Sequence, residues 1–257
     1  MQDPVAQAAL DRALDEKDQL VLLYQPIHEA RSGAIWSAEA LLRQRRRNGE
    51  LRDASIINEA ADKSCGPERY TLDHYLIRRA YTDAAQWQAR GDVRLNVNLS
   101  PRDLDTEGVQ QRLLELVRTC GNDIHKVNIE ITETAYIEQP ERTMRVLESL
   151  RELGPSLWLD DFGSGHSSLT HLQHFPVDGI KLPGTFIRPL PADRKARAIV
   201  GALIALAHDL GLAVIAEEIE HQEQLDFLLE QGCDYIQGFL FSRPMELDAF
   251  VGELNRR

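Results

Sequence analysis

The chain has little of several features that mark common classes of protein. It has only three cysteines, at scattered positions with no paired spacing: Cys65, Cys120 and Cys233. Such a set excludes a disulfide framework and a zinc motif, and it is typical of a reduced compartment. No apolar run reaches the roughly 18 residues of a membrane span, and no segment resembles a signal peptide. We therefore expect a soluble domain without membrane contact, in the cytoplasm, either free or as the cytoplasmic part of a membrane-anchored protein.

Positive charge is also in short supply. The 257 residues include 29 basic and 41 acidic ones, for a formal net charge of -12. This balance argues against binding to a nucleic-acid polymer or a membrane surface, and a phosphate-bearing ligand would need local cations. The length fits one α/β barrel or two small domains. Residues 1–17 are polar and helix-prone, so we expect a linker or helix remnant there and one domain over 18–257.

What the chain does contain is an alternation of short β-rich runs and longer helical patterns. The predicted strands are 20–27, 34–43, 95–100, 127–133, 157–162, 179–182, 213–219 and 235–241. The predicted helices are 70–90, 109–120, 140–153, 192–210, 221–231 and 247–254. Eight strands alternating with helices favour a closed TIM-type (β/α)8 barrel. The first two strands lie too close in sequence for a helical crossover, so a hairpin and one antiparallel strand are predicted.

One stretch, residues 157–168, combines a buried-strand pattern with charge. Three apolar residues lead into Asp160 and Asp161, and a loop with Gly163 and Gly165 follows. Two adjacent carboxylates repel each other unless something positive lies between them, and a divalent metal is the obvious candidate. The alternative is a solvated Asp-Asp turn.

Other predicted strands also deliver polar side chains. In a barrel, the carboxyl ends of the strands converge on one mouth, where active sites lie. The polar residues placed there or along the same inward faces are Glu39, Arg43, Asn96, Asn98, Asn128, Glu130, Thr132, Lys181, Glu217 and Gln237. Any one of them is ordinary, but burying four or five carboxylates without cations costs more than a core can supply. Carboxylate and amide oxygens suit Mg2+ or Mn2+ rather than zinc.

With these residues the chain resembles the EAL domain, a bacterial phosphodiesterase that opens cyclic di-GMP to the linear dinucleotide pGpG. The signature Glu39-Ala40-Leu41 would be weak alone. The resemblance continues in family order through 24–27, 98–101, 130–133, 160–165, 180–182, 216–217, Glu220 and 237–238. It covers residues 18 to 250, and the family fold, a modified (β/α)8 barrel with one antiparallel strand, agrees with the predicted hairpin.

The resemblance also implies roles for individual residues. Two ions, Mg2+ or Mn2+, would be held by Glu39, Asn98, Glu130, Asp160, Asp161 and Glu217, with Asp160 bridging both. The catalytic group would comprise Glu217, Lys181, Asp161 and Glu39, with Lys181 fixing the attacking water or offsetting charge. Substrate contacts would come from Arg43, Gln25, Gln237 and Pro101. Glu133 and Glu220 would hold the loop 162–169 through hydrogen bonds.

Four residues depart from the family pattern. His166 stands where a tyrosine is usual, Pro183 where an aspartate is usual, Glu218 where a glycine is usual and Gln44 where a tryptophan is usual. None is an expected metal ligand. We expect Glu218 to point away from Glu217, toward the helices or solvent, and Pro183 to shift the loop after Lys181.

Two other functions remain open from the sequence. Some members of the family bind cyclic di-GMP without cutting it, so a receptor is one alternative. A barrel enzyme that uses Lys181 as a Schiff-base nucleophile is the other, although a crowd of carboxylates opposes it by keeping the ammonium protonated. In either enzyme or receptor form, we expect a homodimer within a larger protein that carries sensor or GGDEF domains.

Overall fold

The computed structural model describes residues 20–46, 48–53, 67–89, 91–99, 123–132, 140–164, 172–173 and 175–256. The side chains of 67–75, 140 and 142 are outside this description. So are the predicted segment 1–17, the predicted helix 109–120 and most of the loop 162–169. Six residues named in the sequence analysis also lie outside it: Cys65, Pro101, Cys120, Glu133, Gly165 and His166.

Within these ranges, nine strands form one sheet. They are β1 Leu20–Glu29, β2 Ile35–Arg45, β3 Leu51–Asp53, β4 Arg94–Leu99, β5 Val127–Thr132, β6 Ser156–Asp160, β7 Gly179–Leu182, β8 Ala213–Ala216 and β9 Tyr235–Ile236. Their order is β1-β9-β8-β7-β6-β5-β4-β2-β3, and β1 also pairs with β2. That last pairing closes eight strands into a barrel, as predicted, and leaves β3 as an addition to the edge of β2.

The antiparallel strand is β1. It pairs antiparallel with both β2 and β9, whereas the other strands of the barrel pair in parallel. The tight connection to β2 includes Gly33 at φ 69°, a left-handed conformation that glycine adopts without steric cost. The predicted hairpin is thus confirmed. The strand β3 was not predicted, because three residues with two charges carry no readable alternation.

Six α-helices lie in the same part of the chain. They are α1 Pro67–Gln88, α2 Pro140–Leu153, α3 Gly184–Ile187, α4 Arg194–Asp209, α5 Gln222–Glu230 and α6 Leu247–Leu254. Sequence predicted all of these except α3, a single turn that begins after Pro183, whose φ of -69° suits the N-cap position. The start of α4 is fixed by Asp193, whose side chain accepts from the backbone N–H of Lys195 at 2.6 Å. None of the helices in the described ranges is long and apolar enough to cross a membrane.

Apolar packing occupies two places. The larger core lies between the outside of the barrel and the helices, and it includes Leu95, Ile129 and Leu147. The smaller cluster, which we call the amino-end plug, lies inside the barrel at the amino ends of the parallel strands. It consists of Ile27, Trp158 and Ile215, with Trp36, Ala213 and Tyr235 packed against them. This plug fills one end of the barrel interior and leaves the other end for polar side chains.

Candidate active site

Lys181 lies at the centre of the carboxyl end of the barrel. Its side chain is only 1% exposed, and its Nζ atom lies among four carboxylates from four strands or strand ends. The distances are 2.7 Å to Glu217 Oε1, 2.9 Å to Glu130 Oε2, 3.2 Å to Asp160 Oδ1 and 3.7 Å to Glu39 Oε2. One ammonium therefore faces four carboxyl groups, and the cluster has an excess of negative charge.

Two amide side chains hold Glu39. The amide of Asn98 donates to Glu39 Oε1 at 3.0 Å, and Gln237 Nε2 donates to Glu39 Oε2 at 2.8 Å. Gln237 Nε2 also lies 3.3 Å from the oxygen of Gln25. Because each amide donates through its nitrogen, its oxygen remains able to accept a hydrogen bond or bind a cation. The structure thus brings two predicted metal ligands, Glu39 and Asn98, into one hydrogen-bonded group with two predicted substrate contacts. Those contacts are Gln25 and Gln237.

The paired carboxylates converge through an unusual backbone turn. Asp161 has φ 54°, and so does Glu218; these are the non-glycine residues with positive φ in the described part of the chain. That conformation costs a non-glycine residue roughly 1–2 kcal/mol, and such strain often occurs at functional sites. One oxygen each from Asp160, Asp161 and Glu217 lies within 4.8 Å of the others. The predicted convergence of both aspartates on one point is therefore observed.

The pKa values reflect the crowding. Burial raises the pKa of Glu217 to about 8, although Lys181 opposes the shift. Burial likewise raises the pKa of Glu130 well above its ordinary value and raises that of Asp161. Burial alone would lower the pKa of Lys181, but the surrounding carboxylates, led by Asp160, raise it well above the ordinary value. Some of these carboxyl groups therefore bind a proton near neutral pH when nothing else neutralises them.

Glu39 differs from its neighbours. Burial would raise its pKa, but the charge of Lys181 and the hydrogen bonds from Gln237 and Asn98 lower it below the ordinary value. Glu39 is thus ionised at neutral pH and can bind a cation without first losing a proton.

The donor set fits a divalent cation. Asp160, Asp161 and Glu217 offer converging carboxylate oxygens, and Asn98 offers an amide oxygen beside Glu39. Gln237 Oε1 is buried and has no hydrogen-bond partner among the residues that the structure describes. All these donors are oxygen atoms, which Mg2+ and Mn2+ prefer. The cluster has the composition that the predicted metal centre requires.

A cleft of about 390 Å³ opens above the cluster. Besides the charged cluster, its walls include Gln25, Leu41, Arg43, Glu220, Gly238, Phe239 and Pro244. Arg43 is the predicted substrate arginine; its Nη1 donates to the carbonyl oxygen of Leu42 at 2.7 Å. Sequence reasoning missed Phe239, which is 46% exposed and lies under the guanidinium of Arg243 at 4.3 Å. An aromatic residue two positions after Gln237, in the turn that follows β9, was the available signal.

Glu218 and Glu220, which the sequence analysis singled out, both line this cleft. Glu218 turns toward α3, where Arg188 Nε and Nη2 donate to its Oε2 at 2.8 and 2.6 Å. It therefore points away from Glu217 as expected, yet it also lines the cleft and adds to the raised pKa of Asp161. Glu220 lines the cleft as well. The loop that Glu220 is expected to hold lies largely outside the described residues, as do Pro101 and Glu133.

Comparison with known proteins agrees with the geometry. The sequence model of the EAL domain matches residues 7–244. The chain belongs to the EAL domain family. This EAL domain is 36% identical over 251 residues to the cyclic di-GMP phosphodiesterase NbdA of Pseudomonas aeruginosa, an alignment that covers 97% of this chain and 31% of that protein. The chain spans about a third of the length of the curated relatives it matches.

Solved structures are similar over most of the EAL domain. The PaMucR phosphodiesterase in complex with c-di-GMP superposes with a TM-score of 0.88 at 30% identity, covering 95% of this chain and 99% of that one. Klebsiella pneumoniae BlrP1, in a manganese and cyclic di-GMP complex at pH 6, gives a TM-score of 0.77 at 31% identity and covers 88% and 56%. The barrel is thus the fold of this family.

Proposed function

We propose that this EAL domain is a metal-dependent phosphodiesterase that hydrolyses cyclic di-GMP to linear 5'-pGpG. The observation that carries the proposal is the acidic cluster: four carboxyl groups surround Lys181, and three carboxylates converge within 4.8 Å. A similar protein is named a cyclic di-GMP phosphodiesterase, and a similar structure contains c-di-GMP. Because the net charge is -12, a dianionic substrate needs cations at the site to approach it.

The proposed metal ligands divide into two groups. Glu39, Asn98, Glu130 and Asp160 would hold one ion, and Asp160, Asp161 and Glu217 would hold the other. Two such cations, Mg2+ or Mn2+, would lower the pKa of the attacking water and stabilise the phosphate charge during in-line displacement. The two-ion assignment is supported by the oxygen-only donor set and by the excess of carboxylates over cationic side chains.

The remaining residues would position the reactants. Lys181, held between Glu217 and Glu130, would orient the attacking water and offset the charge that develops. Arg43 on the cleft wall would bind a substrate phosphate or base edge through charge-assisted hydrogen bonds. Gln25, Gln237 and Pro101 would complete the substrate contacts, and Glu133 and Glu220 would hold the loop over the site.

We also propose that the domain acts as a homodimer within a larger cytoplasmic protein, attached to sensor or GGDEF domains. On helix α4 the side chain of Ile199 is 46% exposed, and Leu210, directly after the end of the helix, is 41% exposed. Apolar surface is therefore accessible there. The curated relatives are about three times as long as this chain, which supports additional domains.

The test is direct product analysis. Purified protein is incubated with cyclic di-GMP and Mg2+ or Mn2+, and products are resolved by chromatography, with a chelator as the control. We expect pGpG with metal and none with chelator. If the metal-saturated protein binds cyclic di-GMP and never yields pGpG, even as a dimer, it is a receptor. Trapping of a substrate on Lys181 by borohydride, with activity that a chelator does not reduce, would instead support the Schiff-base mechanism.

A further inference from the structure

Two buried asparagines lie directly beneath the proposed metal site and have no role in it. Asn96 and Asn128 are both 0% exposed, and they face each other across β4 and β5. Asn128 Nδ2 donates to Asn96 Oδ1 at 2.8 Å, and Asn96 Nδ2 donates to Glu130 Oε1 at 2.6 Å. At the other end, Arg94 Nη1 lies 3.3 Å from Asn128 Oδ1. We call the chain Arg94, Asn128, Asn96 and Glu130 the amide relay.

The direction of the amide relay is set by Arg94. A guanidinium donates hydrogen bonds and accepts none, so Asn128 must present its oxygen to Arg94. Its amino group then faces Asn96, whose oxygen must accept, and the amino group of Asn96 is left to face Glu130. Arg94 itself is held in place, since its Nη1 also donates to Ser156 Oγ at 3.0 Å and its guanidinium lies 5.8 Å from the centre of the Trp36 ring.

The amide relay determines which end of the Asn96 side-chain amide, the amino group or the oxygen, faces Glu130. With the observed polarity, Glu130 Oε1 accepts from Asn96 and Oε2 accepts from Lys181 at 2.9 Å, so both oxygens are fixed. With the opposite polarity, an amide oxygen would face a carboxylate oxygen, which is repulsive. Hydrogen-bond partners of this kind orient metal ligands, and their loss typically weakens metal binding about 10–100-fold.

We propose that Arg94, Asn128 and Asn96 are positioning residues, which orient Glu130 for a metal ion from the opposite end of the barrel. The inference rests on the proposed function only in taking Glu130 as a metal ligand. It assigns a functional consequence to Arg94, a residue at the start of β4 near the amino-end plug, where changes would otherwise be expected to affect stability alone.

The decisive variant is Asn128→Asp. It keeps the size and still accepts from Arg94, but it has no amino group, so Asn96 must turn its own amino group toward position 128 and its oxygen toward Glu130. The matched control is Ser156→Asp, which places the same charge beside the same guanidinium and leaves the amide of Asn128 in place. The measurement is calorimetric titration of the metal-stripped proteins with Mn2+ in the absence of substrate, alongside thermal unfolding without metal.

We expect Asn128→Asp to weaken the tighter Mn2+ binding step about 10–100-fold and Ser156→Asp to leave it unchanged. Arg94→Met should weaken it by at most about twofold, because the carboxylate of Glu130 still favours the observed polarity when Arg94 is gone. If Asn128→Asp does not fold, Asn96→Leu decides, since it removes the donor to Glu130: unchanged Mn2+ affinity in it overturns the relay. Equal losses in Asn128→Asp and Ser156→Asp overturn it too, since charge rather than polarity would then be the cause.

Failure of the relay can be told from failure of the proposed function. Wild-type protein that binds Mn2+ and forms pGpG, with Asn128→Asp behaving identically, contradicts the relay alone. Wild-type protein that binds no Mn2+ contradicts both, because Glu130 would then have no metal to be oriented for. At saturating Mn2+ the KM for cyclic di-GMP should stay the same in Asn128→Asp, as the relay does not contact substrate.

Discussion

The two ends of the barrel interior differ sharply, although the same strands build both. At the amino end, the plug around Trp158, Ile27 and Ile215 is apolar and buried. Two residues closer to the carboxyl end, on the same inward faces, Asp160 follows Trp158 and Glu217 follows Ile215. A step of two residues is about 6.6 Å along a strand, so the environment changes from aromatic to acidic within one side-chain layer.

The two ends of the barrel differ in what they contribute to stability and to chemistry. The amino-end plug buries apolar area, which stabilises the fold, whereas the carboxyl end gathers carboxylates around one lysine at an electrostatic cost. Barrel enzymes generally separate the two ends in this way. The separation can be tested by changing one end at a time and asking whether activity and stability respond independently.

The largest effect is expected from Asp160→Asn at the carboxyl end. The change keeps the size and removes a carboxylate that is proposed to bridge two ions, so hydrolysis should fall more than about 1,000-fold while the barrel still folds. Turnover of cyclic di-GMP and the circular dichroism melting curve measure the two properties. Asp226→Asn on the exposed face of α5 is the matched control and should retain full activity.

Glu217→Gln tests whether the two proposed ions are held by different groups of residues. Because Glu217 belongs to the proposed second-ion group, this variant should keep the first Mn2+ largely bound and lose most of its activity, whereas Asp160→Asn should lose affinity for both ions. Titration with Mn2+ distinguishes the two variants. Equal Mn2+ affinities in both would contradict the assignment of Asp160 as the bridge.

Ile27→Ala tests the amino end. Ile27 is fully buried in the plug, so the truncation should lower the free energy of unfolding by about 2–5 kcal/mol. The folded fraction should keep its turnover, because the cavity lies in the amino-end plug, away from Lys181 and the carboxylates around it. Urea unfolding and activity per folded molecule are the measurements, and Leu51→Ala on the exposed edge strand β3 should change stability by less than about 0.5 kcal/mol. A loss of turnover equal to that of Asp160→Asn would show that the ends are not independent.

Arg43→Ala should act on substrate alone. Removing one charge-assisted contact should weaken binding of cyclic di-GMP by about 1.5–3 kcal/mol and leave Mn2+ affinity unchanged. Calorimetry with each ligand separates the two effects. Unaltered affinity for cyclic di-GMP would remove Arg43 from the site, and Arg45→Ala, whose guanidinium pairs with Glu246 at 2.9 Å outside the cleft, is the control.

Much of this arrangement can be predicted from sequence because it follows from strand periodicity. Once the strands are placed, their carboxyl ends must converge, and this convergence alone predicts that Glu39, Asp160, Lys181 and Glu217 lie together. What cannot be predicted depends on register and on long-range contacts. Nothing in the sequence says that Asn96 lies opposite Asn128, or that Glu218 meets Arg188 across 30 residues.

Metal binding should also depend on pH. In the metal-free protein, burial raises the pKa of Glu217 to about 8, so a cation must displace its proton below that pH. Affinity for Mn2+ should therefore rise with pH up to about 8, by at most about tenfold per unit for one displaced proton.

Stability should show the opposite sign in the absence of metal. A group whose pKa is raised by folding contributes stability that is fully present below its ordinary value of 4.5 and is lost as the pH rises toward 8. The stability contributed by Glu217 should thus decline over this window without metal, and saturating Mn2+ should reverse that decline. Calorimetric titration with Mn2+ between about pH 6 and pH 8.5 measures how the Mn2+ affinity changes with pH, and thermal unfolding without metal over the same range measures the stability. Glu217→Gln should flatten the pH dependence of the affinity. A slope that is the same in both proteins would assign the displaced proton to another carboxyl group, with Glu130 the next to change.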